Sequence, residues 1–122
     1  MAPKSVGPSS PESFLPLKAV HFHILLSLLD GPAHGYGVRH VIEERTGGAI
    51  LLAAGTLYET LGRLERDGLV RETEVPDDLE EKAGSRWRFY EVTPVGRTVM
   101  SLETARLEAD VAAARAKIPA TG

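Results

Sequence analysis

Apolar residues at positions 57, 61 and 64 recur at helical spacing, and between them stand short or charged residues: Gly55, Thr56, Tyr58, Glu59, Gly62, Arg63 and Arg66. At about 100° per residue this predicts a helix with Leu57, Leu61 and Leu64 on one narrow core stripe and a free face opposite. It opens near Ala54, stops at Gly68 and leads into an extended run. Upstream, Leu17, Val20, Ile24, Leu25, Leu28 and Leu29 make a second stripe, begun by Pro16 at the first turn and ended by Asp30-Gly31-Pro32. Phe22 and Leu26 lie off that stripe. A helix apolar on more than one side is buried twice, either as the central helix of a monomer or against a second chain. Between these two, residues 35–45 predict a helix with Val38, Val41 and Ile42 inward, closed by Thr46-Gly47-Gly48.

Past the Gly68 stop the period changes. Residues 69–73 and 87–93 are β-branched and aromatic runs, joined by a polar stretch, residues 74–86, that contains Pro76 and Gly84. Trp87 and Phe89 alternate with Arg86 and Arg88, as in a strand with one buried face. Thr93 as N-cap and Pro94 at the first helical position then open a long helix reaching Ile118. It carries two seams, Met100, Leu107, Val111, Ala114 and Ile118 on one and Val95, Val99, Leu102 and Ala109 on the other, which suits contact with its own domain and with a partner helix. Residues 1–13, rich in Pro, Ser and Gly, are expected to be a disordered arm. The fold class expected is mainly α with a small β-hairpin: a winged helix-turn-helix over residues 14–93, then a C-terminal dimerisation helix and tail over residues 94–122.

Composition narrows the function. A chain of 122 residues is one domain long, and a homodimer would let it bury more apolar surface. It has no cysteine, which removes disulfides and thiolate chemistry and suits a reducing cytoplasm. Without an apolar run of membrane-spanning length or the basic and apolar regions of a signal peptide, the chain is expected to be soluble and cytoplasmic, with no membrane partner. The formal net charge is −3, so any grip on nucleic acid must come from local geometry. The connecting stretch divides likewise: Asp77, Asp78, Glu80 and Glu81 repel phosphate, whereas Lys82, Arg86 and Arg88 attract it.

Catalytic and metal chemistries find little support. His21 and His23 point in different directions on a helix, His34 and His40 are not at i, i+4 spacing, and no carboxylate completes a zinc set. There is no Gly-x-Ser-x-Gly elbow and no Walker-type loop, so neither an enzyme nor a cofactor is expected. Two helices joined by a short turn, the second amphipathic with a polar start, instead give a helix-turn-helix signal. Thr56 and Tyr58 sit where helix N-terminal residues reach base edges or phosphates, Gly55 permits close backbone approach, and Arg63 and Arg66 either bind phosphate or pair with Glu59 and its neighbours. His34 is a cap or phosphate neighbour at the start of the second helix, beside Tyr36.

The string His34-Gly35-Tyr36-Gly37, followed by Gly55-Thr56-Leu57-Tyr58, Arg63-Leu64-Glu65, Gly68-Leu69-Val70 and Phe89-Tyr90-Glu91-Val92-Thr93-Pro94-Val95-Gly96, resembles the PadR family of bacterial transcriptional regulators over roughly residues 15–118. The single helix after the wing resembles the branch with a short C-terminus. The resemblance implies a homodimeric repressor that binds a pseudo-palindromic operator in double-stranded DNA. The third helix would lie in the major groove, with the wing on the backbone. It places His34, Tyr36, Gly55, Thr56, Tyr58, Glu59, Arg63, Arg66, Lys82, Arg86 and Arg88 with DNA. It places Leu17, His21, Phe22, Leu25, Val99, Leu102, Leu107 and Val111 in a dimer interface built from the first and last helices. Some members take a small-molecule effector there; no residue of this chain identifies one. Where relatives often put Ser or Thr and then Pro ahead of the Gly-Thr pair, this chain has Ala53 and Ala54, a cap expected to cost about 1 kcal/mol. The acidic balance keeps open a second reading, a winged-helix protein-interaction module without DNA binding.

Overall fold

Four helices and a small antiparallel sheet follow one another along the computed structural model, which describes residues 10–74 and 88–119. After a single 3-10 turn at Pro11–Phe14 come α1 (Ala19–Leu28), β1 (Ala33–His34), α2 (Gly35–Arg45), α3 (Ala54–Arg66), β2 (Val70–Thr73), β3 (Phe89–Val92) and α4 (Pro94–Lys117). The core is built where the stripes meet. Ile24, Leu25 and Leu28 of α1, Val38 and Ile42 of α2, and Leu57, Leu61 and Leu64 of α3 lose essentially all exposure against Val99 and Met100 of α4 and the inner face of the sheet. Each such aliphatic side chain is worth roughly 1.5–3 kcal/mol of burial, which fixes the angle at which α3 is held. Val41 departs from the expected inward set and stays 41% exposed, because Val38 and Ile42 already fill the side of α2 that meets the core.

The ends of the elements follow from local chemistry. Gly68, at φ 80°, takes the left-handed conformation that ends α3, with the Leu69 amide donating back to the Leu64 carbonyl at 2.9 Å. β2 can then pair at once with β3, Val70 opposite Val92 and Arg71 opposite Glu91, whose side chains form an ion pair at 2.6 Å. Thr93 caps α4 through its hydroxyl, which accepts from the Gly96 amide at 3.0 Å and donates to the Gly68 carbonyl at 2.6 Å. Gly96 is required by closeness: a Cβ there would lie 2.6 Å from the Val92 side chain and run into the Leu69 carbonyl.

Three features correct the sequence reading. The sheet has three strands in the order β1-β3-β2 rather than being a bare hairpin, because Ala33 and His34 pair with Tyr90 and Phe89. β3 is therefore central, and both Phe89 and Tyr90 are buried instead of alternating. Residues 10–13, expected in the arm, belong to or adjoin the 3-10 turn, which lies against α4. Finally, α1 begins at Ala19 and not at Pro16, because the Leu17 amide donates to the Glu103 carboxylate of α4 at 3.0 Å instead of starting a helix. Glu103 is 1% exposed, and Arg106 closes on both its oxygens at 2.6 and 2.9 Å. The Arg106 guanidinium, aided by the Leu17 amide, holds the carboxyl below its ordinary range despite burial.

Candidate nucleic-acid interface

The exposed face of α3 is set by its buried one. With Leu57, Leu61 and Leu64 fixed in the core, Gly55, Thr56, Tyr58, Glu59, Arg63 and Arg66 are delivered towards solvent or the cleft beside α1. Ala53 caps nothing through its side chain, so the first amides of α3 have no side-chain acceptor there, as the alanine predicts. A Cβ on Gly55 would meet no atom of the chain within 4 Å. Folding therefore does not demand a glycine at 55, whereas close approach by a partner molecule would.

Other residues of the sequence motif prove to be joinery. Tyr58 is 40% exposed, but its ring and hydroxyl lie over Gly35, where a Cβ would come 2.6 Å from the ring carbon that carries the hydroxyl. Gly35 and Tyr58 thus lock the start of α2 against α3. His34 caps α2, its Nδ1 accepting from the Gly37 amide at 3.2 Å, and its ring stands edge-on to Phe89 with centroids 5.3 Å apart. An accepting Nδ1 requires the neutral tautomer with hydrogen on Nε2, and burial pushes the His34 pKa down in keeping with that. The two halves of the motif, His34-Gly35-Tyr36-Gly37 and Gly55-Thr56-Leu57-Tyr58, are two sides of one helix-helix joint, and residues 24–102 match the family model of the transcriptional regulator PadR-like family.

The chain belongs to the PadR-like family.

That family is one of transcription factors, not of enzymes. Among curated proteins, the chain is 37% identical over 91 residues to transcriptional regulator Rv3488 of Mycobacterium tuberculosis, covering 74% of this chain and 77% of that one. It is also 41% identical over 80 residues to an uncharacterized 37.1 kDa protein in a Streptomyces fradiae transposon; this covers 66% of the chain but only 20% of that protein's length. Among solved structures, PadR of Bacillus subtilis in complex with operator DNA superposes with a TM-score of 0.57 at 19% identity, over 70% of this chain and 46% of that one. The winged-helix architecture is common to both.

In this PadR-like chain the remaining residues expected at DNA fall into three groups. Tyr36 is exposed near the start of α2, with the Arg39 guanidinium 5.9 Å from its ring centroid. Arg88 lies just before β3, 3.7 Å from Glu72 across the ladder and hydrogen-bonded to Tyr90. Lys82 and Arg86, like the acidic Asp77, Asp78, Glu80 and Glu81 and the aromatic Trp87, lie outside the described residues.

The expected dimer residues divide as well. Phe22, Leu107 and Val111, joined by the exposed Arg115, line an apolar groove of about 410 Å³ between α1 and α4, and Leu102 and Leu17 are half-buried. Leu25 and Val99 are not available to a second chain: both have no exposed surface and belong to the core, because α1 and α4 turn those positions onto the sheet and α3. His21 also changes place. It lies one helical step round α1 from Phe22, beside Lys18 and facing Arg63 of α3, so it borders α3 and not the α1–α4 groove. Lys18 and Glu103 escaped the sequence reading. A lysine before a helix and an acid and arginine three apart look like ordinary solvated charge, and only the fold gives them neighbours. Among the described residues no helix is long and apolar enough to cross a membrane, and no cluster of histidines and carboxylates could hold a metal ion.

Proposed function

We propose that this PadR-like regulator acts as a homodimer on double-stranded DNA, α3 entering the major groove and the wing following the backbone, and that it represses from a pseudo-palindromic operator in the cytoplasm. The observation that carries the reading is the division of α3. Its three leucines are wholly committed to the core, while Thr56, Glu59 and Arg66 are exposed beside a glycine that folding does not need. That B. subtilis PadR is seen with operator DNA supports extending the role to this chain. The dimer rests on a second observation: from Glu108 to Lys117 every residue of α4 is exposed, and the groove of Phe22, Leu107 and Val111 continues onto that bare stretch. A second copy of α4 would fill it, and a small-molecule effector, if one is used, would meet both copies there.

Two reading helices related by a dimer axis should address half-sites about 34 Å apart. The test is selection of bound duplexes from a random pool, followed by titration of the winner at several salt concentrations. A two-fold-symmetric site with a steep salt slope is the expected result, because phosphate contacts release counterions. Absence of enrichment at every salt concentration would instead favour the protein-interaction module that the net charge of −3 suggests.

A further inference from the structure

Beside the reading face of α3 a cleft of about 350 Å³ opens towards the start of α1, lined by Lys18 and His21 on one side and by Thr56, Glu59, Thr60 and Arg63 on the other. Two permanent cations and an imidazole are thus brought together from segments more than thirty residues apart. Neither Lys18 nor Arg63 has a salt-bridge partner among the described residues, and Glu59 is the one carboxylate on the cleft. Asp67 lies in the adjoining hollow beneath, with Ser13, Phe14 and Leu69. Nothing in the packing requires these positive groups: the core side of α3 is closed by leucines, and Lys18 and Arg63 are exposed. An oxyanion seated between them would neutralise both, and Thr56 and Thr60 add hydroxyl donors.

We infer that this cleft is a subsite for a backbone phosphodiester of the bound duplex, held by Lys18 and His21 from the α1 side and Arg63 from the α3 side, so that the start of α1 clamps the strand flanking the major groove. The inference rests on the DNA-binding reading above and adds to it a second element, α1, that grips the backbone. It also gives His21 a different task from the dimer contact that the family resemblance implies. Burial is the main cause holding the His21 pKa below its ordinary value, with Lys18 and Arg63 adding to the effect and Asp67 opposing it. A phosphate arriving in the cleft reverses the contribution of the two cations, so the ring gains a proton on binding. Of the groups that face it, Lys18 precedes α1, Glu59 and Arg63 belong to α3, and Asp67 is the residue that closes α3; Asp67 favours the charged ring in the free protein.

The test uses the full chain and the duplex selected from the random pool. Lys18→Gln and His21→Gln are each expected to weaken binding roughly three- to tenfold at about 0.15 M salt, equally for preferred and non-preferred sequences, and Lys18→Gln is expected to reduce the salt slope by about one. Wild-type affinity is expected to rise roughly threefold from about pH 7.5 to about pH 6, with that gain missing in His21→Gln. A merely structural role for either residue would alter sequence preference or stability, not the salt slope and the proton linkage. Wild-type slope and pH profile in both variants, with duplex binding intact, would overturn the subsite alone; failure of the wild type to bind any duplex would overturn the function reading with it. Inorganic phosphate that shifts the His21 ring resonances of the free protein at about 10 mM, alongside variants of unchanged slope, would assign the cleft to a small phosphate ligand and overturn its assignment to DNA.

Discussion

The two halves of α4 are one unbroken helix in unlike surroundings. In the first, Gly96, Val99, Met100 and Glu103 are buried, the helix start is bonded to the end of α3, and the Glu103 carboxylate holds the Leu17 amide and Arg106. In the second, from Glu108 to Lys117, every residue is exposed, Val111 by 50%, and Ile118 just past the helix end is exposed by 64%. The residue types do not differ enough to explain this. Both halves carry apolar residues at helical spacing, and Ala-rich segments hold a helix well. What differs is that, among the described residues, the first half is packed into the core of its own chain and the second is left exposed. An apolar stripe states that something is to be covered, not what covers it.

The contrast is broken most forcefully at Gly96. Gly96→Val would drive side-chain atoms into the Leu69 carbonyl and the Val92 methyl, so it should abolish cooperative folding or cost several kcal/mol, seen as loss of the sharp thermal transition by circular dichroism. Next in size is Glu103→Leu, which leaves the Leu17 amide and Arg106 without their acceptor and should cost about 2–3 kcal/mol in denaturant unfolding. The same carboxylate predicts an acid dependence. The carboxyl's folded pKa lies below that of an ordinary glutamate, so its contribution is complete above the ordinary value and is lost as pH falls through the lowered one. In Glu103→Gln that part of the acid-induced loss should vanish, as a comparison of unfolding midpoints between pH 6 and pH 3 would show.

Changes in the second half should act on assembly and spare the fold. Val111→Glu is expected to leave the far-ultraviolet spectrum of the winged domain intact while shifting the sedimentation coefficient from dimer to monomer; an unaltered dimer would mean that the groove beside Phe22 is not the interface. The smallest effect is expected at the junction of the halves. Asp110→Asn removes a 3.0 Å contact to Arg106 at an exposed position and should change stability by no more than about 0.5 kcal/mol.

Much of this architecture was legible in the residues. The α3 stripe, the Gly68 stop, the Thr93-Pro94 start and the family motif each have a local cause that survives folding. Ala53 was readable as a weak cap because capping depends on a single side chain. The two-residue β1 was not readable, since Ala33 and His34 carry no period and owe their strand to β3. The resemblance carries Leu25 and Val99 into a dimer interface, and an apolar stripe cannot correct it because it cannot tell a core from a partner. Tyr58 stands among the residues expected at DNA, and its seat over Gly35 is a property of the helix-helix joint that neither segment reveals alone. The resemblance puts His21 at a dimer interface, while its neighbours Lys18 and Arg63 are brought beside it only by the packing of α1 against α3.

The junction at Thr93 has a mechanical consequence. Its hydroxyl and amide hold the Gly68 and Leu69 carbonyls at 2.6 and 3.0 Å, and Gly96 is pressed against the same turn, so the C-terminal end of α3 is fastened directly to the root of α4. A 24-residue helix is a rod of roughly 36 Å, and a tilt of a few degrees at its far end is delivered as rotation at the root. Anything that re-seats the far end would therefore turn α3 with it through this direct fastening. In the dimer proposed above, the pitch between the two copies of α3 would be set by a pair of rigid arms, much as the arms of a caliper set its jaws.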